Sequence, residues 1–455
     1  MMVGSLAMKK KQKNKTKKGS SLVDDCIRRL TKLSINLPDK RTGKNIQYQM
    51  GDIVKAAFAV FFTQSSSFLA RQKALKKSKG QSNAESIFQM EKIPCDEQIR
   101  QLLDPVSPEH FYQEFHTLVE QVDEQGKLAT YRVLDGEHVL ISLDGTEYFS
   151  SYQLECENCL HRTRKNRKIQ NYHTAILPVM VAPSMSQVLA LPPEFISPQD
   201  GHDKQDCERA ASKRWVEQHA AHYVDSRAIL LGDDLYANQP LCEVILDHQL
   251  HFLFVCKPES HQTLYHALDS AVTAGQGESF TISYWNGQHG ETWTYRFLNQ
   301  LPLRSGEDAL LVNWFELQIT HADTQETLYH NSWITDLPVI QEQVAELVAC
   351  GRARWKVENE GNNVLKTKGY HLEHNFGHGN RYLSLTLITL NLLAFLLHTL
   401  SDLTDTIYRR IRDELGRRET FFNDFRALMR YLVFDSWQHL LHFMAIQLEI
   451  DPAPD

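Results

Sequence analysis

The sequence lacks the features that mark secreted, disulfide-bonded and strongly basic proteins. Residues 9–18 hold seven lysines and no acid, yet no apolar segment follows them, as a secretory signal would require. Eight cysteines are scattered through 455 residues, which indicates a reducing cytosol rather than a disulfide framework. The net charge of −7 gives no overall indication of nucleic-acid binding, so any such binding must use local basic patches.

Long apolar runs are also scarce. The run "YLSLTLITLNLLAFLLHTL", residues 382–400, is the one stretch apolar enough to suggest a membrane span. Its threonines, asparagine and histidine suit a protein interior, so we predict a helix that is buried on all sides in a large domain. A chain of 455 residues can form two to four domains, or one large domain with insertions.

The remaining sequence changes from helical to strand patterns near residue 138. Amphipathic patterns predict helices up to about residue 122, with "KKSKGQSNAES" as a loop. Three strands, a helix, a strand, a helix and a further strand are then predicted, at residues 139–143, 172–183, 187–193, 204–223, 228–231, 239–248 and 251–255. This α/β order is that of a ribonuclease-H-like mixed sheet with flanking helices.

Two of these strands end on acids. The run "VLISL" leads to Asp144, and "AILLG" leads to Asp233 and Asp234. In a ribonuclease-H-like sheet the first and fourth strands are neighbours, so Asp144 would lie beside Asp233. Adjacent carboxylates repel each other unless a cation lies between them, and Mg²⁺ or Mn²⁺ prefers such oxygen ligands. The alternatives are that Asp144 shapes a turn with Gly145 and that Asp233 caps the next helix.

A third acidic candidate lies in "GRARWKVENEGNNVLKTKGYHLEHNFGHG", residues 351–379, which begins with a helical pattern. Arg354 and Glu358 are four residues apart and share a helix face. Glu358 and Glu360 are two apart, so both cannot point at one metal, and helix geometry does not select between them. A solvated helix face is the alternative for all of these charges.

Taken together, "SLDGTEY", "GDDLY" and "RWKVENEGNNVLK" resemble the three motifs of DDE-type insertion-sequence transposases, over roughly residues 135–400. The arginine-to-glutamate spacing of the third motif resembles the family signature and favours Glu358. The Asp-x-x-Tyr of the second motif favours Asp233. Two positions differ from the family pattern: Lys366 lies one residue farther along, and Gly351 stands where a tyrosine is usual.

The resemblance implies a function and a set of ligands. Asp144, Asp233 and Glu358 would be the catalytic residues and would bind two Mg²⁺ or Mn²⁺ ions, with Asp144 bridging them. The protein would cleave the ends of a mobile DNA element and transfer the 3′ ends to target DNA. Its partners would be double-stranded DNA, from the terminal inverted repeats and the target, and a second copy of the chain. It would act in the bacterial cytosol.

The predicted organisation has six segments. They are a disordered basic tail at 1–20, a helical DNA-binding region at 21–134, a catalytic domain in two parts at 135–257 and 337–400, a β-rich insertion at 258–336 and C-terminal helices at 401–455. Related transposases carry such an insertion as a platform for DNA ends. Trp285, Trp293 and Trp314 are its candidates for stacking on an unpaired base, and core positions in a small sheet are the alternative.

Two further groups of residues are candidates for binding. Cys156, Cys159, His161 and His173 have spacings compatible with Zn²⁺, although two reduced cysteines in a loop are the alternative because only one Cys-x-x-Cys pair is present. The histidines of "HLEHNFGHG" are expected in a polar loop near the active site. We expect DNA phosphates to contact eight basic side chains: Arg162, Arg164, Lys165, Arg167, Lys168, Arg352, Arg354 and Lys366.

Two other functions remain open from the sequence. A ribonuclease-H-like nuclease would share the acids without transferring strands. A DNA-binding regulator could keep the fold without catalysis, although the three intact carboxylates argue against it.

Overall fold

The computed structural model describes residues 21–42, 46–198 and 204–451. The predicted disordered tail at residues 1–20 therefore lies outside the described residues. Within the described part, the chain is a mixed α/β protein with one large sheet, one small sheet and flanking helices. The α/β class expected from the sequence is confirmed.

The N-terminal part is helical, as its amphipathic patterns predict. Its helices are α1 (Leu22–Leu33), α2 (Met50–Phe62), α3 (Phe68–Leu75), α4 (Ser78–Ser86), α5 (Asp96–Leu103) and α6 (Tyr112–Asp123). Helix α4 covers the segment predicted as a loop, so that prediction was wrong. The buried Asn83 side chain of α4 donates hydrogen bonds of 2.8 Å to the carbonyls of Met429 and Leu432. Contacts with this distant part of the chain outweigh the low helix propensity of the segment.

The middle of the chain supplies the strands. In chain order they and their helices are β1 (Arg132–Val133), β2 (His138–Ser142), β3 (Gly145–Ser151), β4 (Leu160–Thr163), β5 (Ile169–Ile176), β6 (Val179–Val181), β7 (Leu189–Ala190), β8 (Glu194–Phe195), α7 (Lys204–His219), β9 (Ile229–Gly232), α8 (Gln239–Asp247), β10 (His251–Val255), α9 (Gln262–Thr273), β11 (Glu278–Trp285), β12 (Gly290–Pro302), β13 (Leu311–His321) and β14 (Thr327–Thr335). The C-terminal part adds α10 (Val344–Arg352), a π-helix (Val357–Asn362), α11 (Asn363–Thr367), α12 (Leu383–Thr404), α13 (Thr406–Leu415), α14 (Arg418–Tyr431) and α15 (Trp437–Gln447).

The large sheet has the strand order β11-β12-β13-β14-β10-β9-β2-β6-β7, with β1 also paired to β2. Strand β9 runs parallel to both β2 and β10, whereas β6 is antiparallel to β2. Every residue of β2 and β9 is buried, as expected for central strands that are covered on both faces. Because β2 and β9 are parallel neighbours, the residues that follow them emerge at the same edge of the sheet.

The β-rich segment continues the large sheet. Strands β11 to β14 form an antiparallel meander, and β14 pairs with β10. The segment predicted as an insertion is therefore part of the same sheet as β2 and β9, the strands that lead to the acids, and it joins that sheet through the pairing of β14 with β10.

The small sheet has the order β3-β5-β4, with β8 paired to β5. The single strand predicted at residues 172–183 is in fact β5 and β6, which belong to different sheets. They are separated at Leu177 and Pro178, and proline has no N–H to continue a ladder. Strand β3 begins at Gly145, directly after Asp144.

Helix α12 lies at the centre of the helical part. Among the described residues it is the helix long and apolar enough to cross a membrane by length and composition, but its whole apolar window is buried inside the protein. This burial fits the core helix of a soluble protein, as predicted. Helix α12 packs against α2, α6 and α13, so the N-terminal and C-terminal helices share one hydrophobic core.

Candidate active site

The end of β2 holds Asp144 by its backbone on both sides. The N–H of Leu143 donates to the carbonyl of Leu231 at 2.9 Å, and the N–H of Leu177 donates to the carbonyl of Asp144 at 3.1 Å. The carboxylate therefore projects from a backbone that is fixed to both the large sheet and the start of the small sheet.

Strand β9 delivers two acids with different surroundings. Asp233 is exposed, and its Oδ1 accepts a hydrogen bond of 2.9 Å from the N–H of Leu235. Asp234 accepts a hydrogen bond of 2.6 Å from the N–H of Lys257 and lies 3.3 Å from Nε2 of His261. Burial alone would raise the pKa of Asp234, but hydrogen bonds from its neighbours lower it. Asp234 therefore has local partners, and Asp233 is the acid whose charge acts on Asp144.

Glu358 lies on the π-helix, a geometry that recurs at functional sites. Its Oε1 is 3.0 Å from Nη1 of Arg354, and its side chain is half exposed. The hydroxyl of Ser142, the last residue of β2, donates to the carbonyl of Arg354 at 3.2 Å. Asn362, at the end of the π-helix, donates from Nδ2 to Oδ2 of Asp144 at 3.0 Å. The helix with the third acid is thus bonded to the strand with the first.

The charges of several acids act on Asp144. Burial raises the pKa of Asp144 from 3.8 to about 7; repulsion from Glu358, Glu208 and Asp233 adds to this effect, and Arg354 opposes it. Asp233 and Glu358, the other two acids predicted from the sequence, are thus among the charges that act on Asp144. A buried carboxylate among other carboxylates is an arrangement that a cation would stabilise.

The sequence reasoning missed two members of this group, Glu208 and Asn362. Glu208 is buried on α7, and its carboxyl group lies against Gly145: a Cβ on that glycine would come within 2.8 Å of Cδ and Oε1. A side chain at position 145 would therefore displace the end of the Glu208 side chain. Tyr236 is buried among the same groups, since burial and the charges of Glu208, Asp144 and Asp233 raise its pKa.

Glu360 and Lys366 lie outside this group. The charge of Glu360 acts on Lys356, whose Nζ donates to the carbonyls of Ala182 and Pro183 at 2.8 and 2.9 Å. Lys366 lies 3.0 Å from Glu373. The charge of Glu358 acts on Asp144, whereas that of Glu360 acts on Lys356.

The predicted DNA-contacting residues divide into two kinds. Arg164, Lys165, Arg167 and Lys168 are exposed around the turn between β4 and β5. Arg164 nevertheless donates to Oε1 of Gln170 at 2.6 Å, and the other four predicted residues also have partners within the protein. Arg162 makes two hydrogen bonds to Glu147, at 2.6 and 2.8 Å, and Arg352 lies over the rings of Trp293 and Tyr329.

The candidate stacking tryptophans also differ in exposure. Trp285 at the end of β11 is 66% exposed, whereas Trp314 is buried, and its indole N–H donates to the hydroxyl of Tyr265 at 3.3 Å. Trp293 is partly buried beneath Arg352. Trp285 alone of the three combines a free ring face with a position on the outer strand of the sheet.

A cluster of sulfur and nitrogen atoms lies on the small sheet. Cys156, Cys159, His173 and His378 place one potential ligand atom each within 4.8 Å of one another. Three of these residues were predicted as a Zn²⁺ site, with His161 as the fourth. In the structure His161 is instead 2.9 Å from Oδ1 of Asn171, and His378 takes its place in the cluster.

The chain was compared with known proteins. A scan against models of protein families finds no match, and a search of curated proteins finds no significant match. The function proposed below is therefore argued from the residues of this chain.

Proposed function

We propose that the protein is a metal-dependent DNA transposase of the DDE type, which cleaves the ends of a mobile element and transfers the 3′ ends to target DNA. The observation that carries the proposal is that acids from separate parts of the chain, namely Asp233, Glu358 and Glu208, repel the charge of Asp144 at the shared edge of β2 and β9. A structural role alone gives no reason to gather repelling carboxylates at one sheet edge.

The strand arrangement supports the same proposal. In a ribonuclease-H-like core the first and fourth strands are neighbours, and here β2 and β9 pair in parallel, with β6 antiparallel on the other side of β2. The motif residues Arg354 and Glu358 add a further element of the transposase resemblance, since they form an ion pair next to the end of β2.

The donor set fits divalent cations such as Mg²⁺ or Mn²⁺, because it consists of carboxylate oxygens beside a buried acid that is hard to ionise alone. Bound cations would activate the attacking oxygen and stabilise the leaving oxygen of a phosphodiester. In this site Asp144, Asp233 and Glu358 would hold the cations. Asn362 fixes the orientation of the Asp144 carboxylate, and Arg354 restrains Glu358.

Contacts with DNA would use exposed groups outside the acid site. The basic turn between β4 and β5 offers four charged side chains without sequence preference. Trp285 offers an exposed ring for stacking on an unpaired base. Two ends of an element must be held together for transfer, so we expect a homodimer on DNA, acting in the cytosol.

The test is a cleavage assay on labelled duplexes taken from the DNA that flanks the gene, with products separated on a denaturing gel. The unaltered protein should cut only with Mg²⁺ or Mn²⁺ and should yield joined products. Glu358→Gln should abolish cutting. Glu360→Gln is the matched control, since it makes the same change two residues away, and it should cut normally.

Each alternative gives a different result. Metal-dependent cutting without any joined product would identify a nuclease. Binding without cutting under any metal would identify a regulator. Equal loss of cutting in both glutamine variants would show that Glu358 has no special role.

A further inference from the structure

We propose that Cys156, Cys159, His173 and His378 form a structural zinc site, separate from the carboxylate site and independent of the proposed function. The first argument is geometric. Tetrahedral zinc, with bonds of about 2.3 Å to sulfur and about 2.0–2.1 Å to nitrogen, places two sulfurs about 3.8 Å apart, two nitrogens about 3.3 Å apart, and a sulfur about 3.6 Å from a nitrogen.

The cluster has these dimensions. The two Sγ atoms are 3.7 Å apart, and the two Nε2 atoms are 3.2 Å apart. Nε2 of His173 lies 3.4 Å from Sγ of Cys156 and 3.5 Å from Sγ of Cys159, and Nε2 of His378 lies 3.4 Å from Sγ of Cys159. Five edges of the tetrahedron therefore match zinc within about 0.2 Å, the tolerance expected of a metal site.

Hydrogen bonds around the cluster favour the histidine tautomer and the cysteine orientation that zinc binding needs. Nδ1 of His378 lies 3.0 Å from the carbonyl of Gly379, so this nitrogen carries the proton and Nε2 keeps a free lone pair. A backbone carbonyl is the usual second partner of a zinc-bound imidazole. The N–H of Cys159 donates to the carbonyl of Cys156 at 3.1 Å, which closes the turn that directs both sulfurs to one point.

The site is closed, which indicates a structural and not a catalytic metal. Cys159, His173 and His378 are buried, and the ring of Phe149 packs 4.6 Å from that of His378. Four protein ligands complete a tetrahedron and leave no position for water or substrate. Two thiolates and two imidazoles select Zn²⁺ over Mg²⁺, which prefers oxygen.

The metal would join two parts of the chain that are distant in sequence. Cys156 and Cys159 lie in the loop after β3, and His378 precedes α12 by only a few residues. Around the cluster, the N–H of Glu157 donates to the carbonyl of Asn380 at 3.2 Å, and Asn158 donates to the carbonyl of Arg381 at 2.8 Å. Zinc would thus fix the segment between the third acid and the core helix to the small sheet.

The test begins with metal content. Protein purified under reducing conditions should hold one zinc per chain, measured by elemental analysis. After chelation, Co²⁺ alone should bind with the absorption spectrum of tetrahedral thiolate coordination, and Zn²⁺ should displace it. Folding of each sample is checked by circular dichroism.

Variants test the ligand set. Cys156→Ser and His378→Ala should each weaken zinc binding by more than about 100-fold, because the loss of even an outer-sphere partner costs about 10–100-fold. His161→Ala is the matched control, because His161 lies close to Cys159 in the sequence but outside the cluster. This variant should retain one zinc per chain.

Three results would overturn the proposal. One is reduced, folded protein that binds neither Zn²⁺ nor Co²⁺. Another is loss of zinc in His161→Ala equal to that in His378→Ala. The third is a disulfide between Cys156 and Cys159 in protein kept under reducing conditions, since it would assign the pair to redox chemistry.

Discussion

Replacing Asp144 with asparagine should stabilise the protein in the absence of divalent cations. Burial among other acids raises the pKa of Asp144 from 3.8 to about 7, so the folded protein holds this proton more tightly than the unfolded chain does. The stabilisation is fully present below the unfolded pKa and is lost as the pH rises through about 7. At about pH 8 the ionised carboxylate therefore costs up to about 4 kcal/mol of folding free energy.

Asparagine avoids this cost because it is neutral and nearly isosteric, and its carbonyl oxygen can still accept the hydrogen bond from Asn362. We expect Asp144→Asn to be more stable than the unaltered protein by about 1–4 kcal/mol at about pH 8, with the difference vanishing near pH 4. The measurement is urea unfolding followed by tryptophan fluorescence at several pH values, without added Mg²⁺ and without a chelator that could remove other metals.

Asp234→Asn is the control, because the same substitution at the neighbouring acid should act in the opposite direction. Hydrogen bonds from His261 and the N–H of Lys257 lower the pKa of Asp234 despite its burial. Its contribution is present above the unfolded pKa and is lost as the pH falls, so removing the charge should destabilise the protein at neutral pH.

Added Mg²⁺ should reduce the stability advantage of Asp144→Asn over the unaltered protein. A cation whose concentration is 100 times its dissociation constant stabilises the folded state by about 2.7 kcal/mol. The stability that Asp144→Asn gains from Mg²⁺ should be much smaller. The reasoning would be refuted if Asp144→Asn were the less stable protein at about pH 8 without cations, or if Mg²⁺ stabilised both proteins equally.

Two further predictions concern residues around the acids and the outer sheet. Asn362→Ala should keep the fold but weaken Mg²⁺ binding by about 10–100-fold, measured by calorimetry, because Asp144 loses the group that orients it; unchanged affinity would contradict this. Trp285→Ala should weaken DNA binding in a fluorescence assay while changing the unfolding free energy by less than about 0.5 kcal/mol. Trp314→Ala should instead cost about 3–5 kcal/mol, because that ring is buried.

Prediction from the sequence was most accurate where one local pattern indicates both a strand or helix and the position of a site residue. Six consecutive buried residues, 138–143, precede Asp144, and a similar run precedes Asp233, so each strand and its acid could be located together. Helix α12 was predicted for a similar reason, since a long apolar run with scattered hydroxyls suits a helix that is covered on all sides.

Site residues that lie within helices were harder to predict from the sequence. Glu208 stands among other charged residues in a helix whose pattern gives no reason to single it out, and only its approach to Gly145 reveals its place. Helix geometry alone could not choose between Glu358 and Glu360. The backbone there is moreover a π-helix, which has more residues per turn than the α-helix assumed.

The cysteine and histidine cluster could be predicted only in part from the spacing of residues along the sequence. His161 was chosen because it lies close in sequence to Cys159 and has a suitable spacing. The residue that completes the cluster, His378, follows His173 by 205 positions and meets it only because the segment before α12 folds onto the small sheet. No pattern within the loop itself contains that information.

The carboxylate site requires support from elsewhere in the fold, because its own charges oppose folding. Because burial and neighbouring acids raise the pKa of Asp144 to about 7, its ionised form destabilises the fold unless a cation offsets the charge. Its backbone is nonetheless held by bonds outside the charged group: Leu143 to Leu231 in the sheet, and Ser142 to the carbonyl of Arg354 at the helix. Strand β3 then leads from Gly145 to Phe149, whose ring packs against His378 of the proposed zinc site. Zinc would thus restrain both segments that flank the acids, so that the carboxylates of the proposed cation site stay in place without a bound cation.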